Sequence, residues 1–163
     1  MTMRWDAIVE FPVMKVGVRT RDEHVIEFRY LPPSVTRQSP ENALAERAAR
    51  ALERYREDPD TAFDLPLRIE GSELQRRVWD AMCAIPRGRT RTYGEVAKEL
   101  GAEARVVGQA CGDNRLPIII PCHRIVAADG LGGFGHATSG FLIEAKRWLL
   151  AHEARPEEFA LRP

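Results

Sequence analysis

The sequence predicts an α+β fold, with a small antiparallel sheet and a helix in the N-terminal part and a helical C-terminal part. Three observations carry this. The first third alternates strand-like runs with turns. A helix-length amphipathic segment follows, and beyond a linker a series of capped helical segments is punctuated by glycine and proline. The boundaries fall at 1–65 for the first unit and 71–155 for the second.

In the first unit, Ala7–Phe11, Met14–Val18 and His24–Tyr30 are rich in β-branched and aromatic residues. Pro12 separates the first two, and the polar Thr20-Arg21-Asp22-Glu23 turn the last two, which predicts an antiparallel meander. Ser39-Pro40 has the form of a helix start, a capping serine with proline at the first helical position. Leu44, Ala48, Leu52 and Tyr55 then recur at helical spacing, and the helix should stop near Asp58-Pro59.

The linker Thr61–Gly71 leads into two capping boxes. Ser72-x-x-Gln75 opens a helix whose apolar stripe is Leu74, Val78, Ala81 and Ile85, with Trp79, Met82 and Cys83 expected in the core. Thr92-x-x-Glu95 opens a shorter helix that Gly101 should end. A third helix is expected from Glu103 to Cys111. The pair joined at Gly101 is a helix-turn-helix candidate, although a buried pair of packed helices fits the same pattern. The second of the two carries Ala104, Val106, Val107, Gly108 and Ala110, with Arg105 as its basic side chain. Small residues can press into a groove, but they cannot read base edges by hydrogen bonding.

Composition limits the function classes. Lys and Arg number 24, as do Asp and Glu, so the whole chain is not an evident polyanion binder. Pro86–Arg124 nonetheless holds seven basic residues against four acidic, and Ser39–Asp64 four against seven, which points to a basic face on the C-terminal half. Three cysteines (Cys83, Cys111, Cys122) make no paired framework, as expected of a protein of the reducing cytoplasm. No CxxC, HxxxH or HExxH spacing predicts a metal site, and no apolar run is long enough to span a membrane. The loop Asp129–Gly135 lacks the order of a dinucleotide fingerprint; its glycines suit close backbone approach to a pocket.

The chemistry concentrates in Ile118-Ile119-Ile120-Pro121-Cys122-His123-Arg124. The three isoleucines predict a buried strand, and Pro121 a turn where the thiol sits. A thiol beside an imidazole and a guanidinium is expected to have a lowered pKa, although a cysteine in apolar surroundings is often a plain core residue. Glu153, at the end of the last helix, is placed to orient His123 if the chain brings the two together, a nucleophile, base and orienter arrangement.

Between Gly71 and Glu153 the motifs resemble those of the O6-alkylguanine-DNA alkyltransferases. The resemblance rests on Gln75-x-x-Val78-Trp79, Ile85-Pro86-x-Gly88-x-Thr90-x-Thr92-Tyr93-Gly94-Glu95, Arg105-x-x-Gly108 and Asn114. Pro121-Cys122-His123-Arg124 and Lys146-x-Trp148-Leu149-Leu150-x-His152-Glu153 complete it.

The resemblance implies a winged-helix-like C-terminal domain and a reaction. Guanine is rotated out of the duplex, and Cys122 takes its O6-alkyl group once and irreversibly. His123 serves as base, Glu153 as its orienter, Tyr93 as a hydrogen-bond donor to the purine and Asn114 as a hinge. It implies DNA contacts at Thr92, Gly94, Ala104, Arg105, Gly108 and Arg124, with Arg105 filling the vacated stack. It implies an alkylguanine pocket of Tyr93, Cys111, Pro117, Ile125 and Phe134. The implied partner is double-stranded DNA bearing O6-alkylguanine, with no cofactor, no metal, no membrane and a monomeric protein.

Arg115 stands where proline is usual and Phe134 where tyrosine is commoner. The loop 135–140 is longer, and the zinc-binding cysteines of some members are absent. Two other classes share parts of the pattern: a DNA-damage binder without transfer, which would lack the cysteine, and a cysteine hydrolase, whose nucleophile and histidine normally come from separate elements.

Overall fold

A computed structural model of the chain describes residues 4–133 and 140–155. Three strands, β1 (Ala7–Glu10), β2 (Lys15–Arg21) and β3 (His24–Leu31), form an antiparallel sheet in sequence order. The β2–β3 hairpin turns on Asp22 and Glu23, both at positive φ (50° and 63°), which matches the right-handed twist of the strands it joins. Strand β2 therefore runs three residues past the expected Val18.

Helix α1 (Ala43–Glu57) starts later than Ser39-Pro40 suggested. Its cap is Asn42, whose side chain accepts from the Ala45 N–H at 2.8 Å. The residues before it are held extended by tertiary bonds: Gln38 exchanges backbone hydrogen bonds with Ile8, and the Glu41 N–H donates to the Asp6 carbonyl. The helix turns Ala45, Ala48, Ala49 and Leu52 inward, small side chains that let it lie close on the sheet.

Both capping boxes form. Ser72 and Gln75 open α2 (Glu73–Cys83), and Thr92 and Glu95 open α3 (Tyr93–Leu100), which ends on Gly101 at φ 65°. Helix α4 (Ala104–Gly112) follows, tied to α2 by the Trp79 indole N–H, which donates to the Ala110 carbonyl at 2.9 Å. Cys83 is exposed rather than in the core, since α2 ends there with its buried face on Val78, Trp79 and Met82. A two-residue parallel pair, β4 (Arg91–Thr92) with β5 (Ile125–Val126), joins the start of α3 to the segment after Cys122. Helix α5 (Phe141–Glu153) packs behind that segment. Buried side chains of the sheet (Val16, Phe28), α1 (Leu52), α2 (Met82) and α5 (Leu149) belong to one continuous core. No helix among the described residues is long and apolar enough to cross a membrane.

The isoleucine run is not a strand. Ile118 sits at φ 76°, an outlier for a β-branched residue, and the Ile120 N–H turns back to the Leu116 carbonyl at 2.9 Å. The segment is a buried coil folded on itself, and it delivers the chain to Pro121.

Candidate active site

Cys122, His123 and Arg124 form a single 3-10 turn. Such a turn, unlike a strand, lets neighbouring side chains work together. The thiol is 5% exposed and the imidazole fully buried. Glu153 completes the group from the last turn of α5: its Oε1 lies 2.8 Å from His123 Nε2. Both ring nitrogens are buried, and among the described residues neither makes a well-aligned hydrogen bond; Nε2 meets Glu153 as a close ion-pair contact.

Burial dominates the electrostatics. It pushes the Cys122 thiol up to about 11, opposed by a hydrogen bond from the Asn114 side chain and by the charge of Lys146. The expectation of a thiol acidified by its neighbours in sequence is thus corrected. Arg124 points away, Nε and Nη2 donating to the Glu153 carboxylate and Nη1 to the Ile85 carbonyl. Burial likewise depresses the pKa of His123, only partly offset by Glu153. Burial alone would raise the Glu153 carboxyl, but the bonds from His123, Arg124 and Tyr55 hold it well below the usual range. The turn thus holds a neutral thiol and, next to it in sequence, a neutral imidazole backed by an ionised carboxylate.

Asn114 follows α4 and ties the coil together. Its Nδ2 donates to the Ile120 carbonyl and its Oδ1 accepts from the Leu116 N–H, both at 2.9 Å. Arg115 next to it has an exposed side chain, but its carbonyl accepts from the Phe28 N–H of β3, so this stretch is fastened to the sheet.

A cavity of about 590 Å³ reaches Cys122, and Cys111, Asn114 and Pro117 line it with Phe28 and Tyr30 from the sheet. Tyr93 and Ile125 stand outside that lining. The Tyr93 hydroxyl donates to the Gly133 carbonyl at 3.3 Å, and burial raises it to about 12, so it stays protonated. Ile125 is fully buried. Phe134 lies outside the described residues. Gly132 passes so close to the Tyr93 ring that an added Cβ would come within 3.1 Å of it, at a φ of 77°.

Of the residues expected at DNA, Thr92 caps α3 and Gly94 lies in its exposed first turn. Ala104 and Arg105 open α4 on its exposed side, and Gly108 faces Tyr93. The Arg105 side chain is 70% exposed and meets Glu103 at 3.3 Å. Arg124, also expected there, is 13% exposed and donates to Glu153 and Ile85.

Two residues were given no role from sequence. Lys146 is fully buried in α5, with Nζ donating to the carbonyls of Ile125 (2.8 Å) and Gly133 (3.0 Å), and burial lowers it to about 8. The sequence signal was a cation at helical spacing with Leu142, Leu149 and Glu153. Tyr55, read only as part of an apolar stripe, donates its hydroxyl to Glu153 Oε2 at 2.6 Å.

Residues 73–155 match the family model described as the DNA-binding domain of 6-O-methylguanine DNA methyltransferase. The chain belongs to this family. A methylated-DNA–protein-cysteine methyltransferase of Mycolicibacterium paratuberculosis is 48% identical over 98 residues, 58% of this chain and 56% of the relative. One of Mycobacterium bovis is 42% identical over 124 residues, 74% of this chain and 72% of the relative. Among solved structures, the Mycobacterium tuberculosis O6-methylguanine methyltransferase superposes with a TM-score of 0.72 at 30% identity, covering 95% of this chain and 97% of that one. The same organism's OGT in complex with DNA gives 0.73 at 36% identity, covering 90% of each chain. The α+β architecture of this methyltransferase family is therefore that of the whole described chain.

Proposed function

We propose that the chain repairs DNA by transferring the alkyl group of O6-alkylguanine to Cys122, once per molecule. The observation that carries this is the buried Cys122–His123–Glu153 group, in a chain of the 6-O-methylguanine DNA methyltransferase family and at the end of a cavity large enough for a base. The alkyl carbon is out of reach inside the stack, so the nucleotide leaves the duplex, which costs least at a damaged pair.

His123 takes the Cys122 proton, and Glu153 stabilises the imidazolium that forms. The sulfur attacks the alkyl carbon, an S–C bond forms, and the bond from that carbon to O6 breaks with its electron pair going to the purine. Tyr93, still protonated, donates a hydrogen bond to the leaving ring, and Lys146 offsets the thiolate's charge. The product is a thioether, so no second turnover follows. Asn114 keeps the thiol-bearing coil in register with α4.

Duplex DNA meets Thr92, Gly94, Ala104, Arg105 and Gly108, where groove fit and backbone contact suffice because repair must work at any sequence. Residues 1–65 form a supporting unit and 71–155 the DNA-binding and transfer unit. The protein acts as a cytoplasmic monomer without a cofactor.

The test is intact mass after mixing with duplex DNA carrying O6-methylguanine, beside Cys122→Ser. The expected result is one methyl gained by the wild type and none by the variant. Tight binding with no gain in either would make the protein a lesion sensor and overturn the proposal.

A further inference from the structure

The Glu153 carboxylate is fully subscribed. Oε1 lies 2.8 Å from His123 Nε2 and accepts from Arg124 Nε at 2.9 Å; Oε2 accepts from Arg124 Nη2 at 3.1 Å and the Tyr55 hydroxyl at 2.6 Å. Both His123 and Arg124 belong to the same turn as Cys122. Tyr55 comes from α1, 98 positions from Glu153 and outside the segment that matches the family model. It is 2% exposed, and its bond has the short length of a hydroxyl donating to an ionised carboxylate.

Its position is itself fixed. The Tyr55 ring sits 5.9 Å from that of Phe63 and 5.3 Å from that of His152, and its carbonyl meets His152 Nε2 at 2.7 Å. Helix α1 thus grips two consecutive residues of α5, one of them the partner of the active-site imidazole.

We infer that Tyr55 is a positioning residue for the transfer reaction, and that through it the N-terminal unit sets the protonation state of His123. The role rests on the alkyl transfer proposed above. Each donor to Glu153 disperses negative charge that would otherwise hold a proton on the imidazole. With Tyr55 in place His123 is neutral at neutral pH and free to accept the thiol proton. Without it, one Oε2 lone pair is left unpaired in a buried site, and the carboxylate pulls harder on an imidazolium.

The other charged and titratable neighbours are unchanged by the loss of one hydroxyl. Arg124 stays on the carboxylate, and Lys146 keeps its electrostatic influence on the thiol. Arg87 bonds the Glu153 main-chain carbonyl and pairs with Asp60. Tyr30 and Cys122 keep their places in the same buried region, and the His152 imidazole meets the Tyr55 carbonyl, which the substitution leaves in place.

The test is Tyr55→Phe, which keeps the ring and removes the hydroxyl. The titration of the His123 imidazole is followed by carbon NMR, with the resonance assigned from its absence in His123→Gln. Single-turnover methyl transfer is then measured against pH. We expect the His123 midpoint to move to higher pH by about half a unit to one unit, in the direction a hydrogen bond lost from its carboxylate partner requires. The acid limb of the rate profile should move with it, so that transfer well below the wild-type midpoint is slowed about three- to tenfold.

Incorporating 3-fluorotyrosine at position 55, a stronger donor of nearly the same shape, should move both in the opposite direction and remains informative if Tyr55→Phe does not fold. Unmoved midpoints in both variants, even with a lower Tm, would reduce Tyr55 to packing and overturn the inference. If the wild type transfers no methyl, the functional reading fails, while the NMR titration still decides the role of Tyr55.

Discussion

Arg124 meets Glu153 through two parallel hydrogen bonds, Nε to Oε1 at 2.9 Å and Nη2 to Oε2 at 3.1 Å. The carboxylate is 2% exposed and the guanidinium 13%. Removing one partner of such a pair leaves an uncompensated buried charge. Arg124→Ala should therefore lose about 3–5 kcal/mol of stability, read from the urea midpoint. Arg124→Lys keeps the charge but cannot span both oxygens and should fall between. A loss under about 1 kcal/mol for the alanine variant would mean that Glu153 does not depend on this pair.

The inward turn of Arg124 separates it from Arg105. Of the two side chains Arg105 is the exposed one, 70% against 13%, so Arg105→Ala should weaken binding to duplex DNA and flatten the plot of log affinity against log salt by up to about 0.9. Substituting Arg124 should leave that slope alone. Equal slopes for wild type and Arg105→Ala would remove Arg105 from the DNA contacts.

Backbone strain gives a third expectation. Ile118 and Ile120 are similarly buried, at 5% and 3%, but only Ile118 holds a positive φ. Ile118→Gly should be less destabilising than Ile120→Gly by about 1–3 kcal/mol, the usual cost of a side chain in that region. Equal losses by chemical denaturation would show that Ile118 adopts its conformation without penalty.

The thiols should label in an order opposite to their importance. Iodoacetamide should reach exposed Cys83 first at pH 8, while buried Cys122 stays protonated. Its labelling should climb as pH approaches about 11, because burial raises its pKa and only the thiolate reacts. Asn114→Ala removes a bond that favours the thiolate and should shift that climb to still higher pH. Mass mapping of the labelled peptides decides it; Cys122 labelling before Cys83 at pH 8 would contradict this picture.

Much of the frame was legible where a few neighbouring residues decide the outcome. The boxes at Ser72–Gln75 and Thr92–Glu95 and the stop at Gly101 are local chemistry, and each stands where the sequence put it. The errors came where distant contacts win. Ser39-Pro40 has the form of a helix start, yet backbone bonds from Gln38 to Ile8 and from Glu41 to Asp6 hold the chain extended as far as Asn42. The isoleucines favour a strand, but among the described residues no strand pairs with them, and Asn114 takes the Ile120 carbonyl instead. The order Cys-His-Arg suggested that both cations act on the thiol. Which way Arg124 turns depends on Glu153, 29 positions on, and the part played by Tyr55 on a contact longer still.

The way the sheet borders are finished has a consequence for handling the protein at high concentration. On the β1 side Gln38 bonds to Ile8. On the β3 side Pro66 and Arg68 bond to Val25, and the Arg115 carbonyl takes the Phe28 N–H. The chain's own loops thus occupy amides that an incoming strand from another copy would need. Strand-by-strand polymerisation through these borders has few footholds, so the folded protein should store without fibrils.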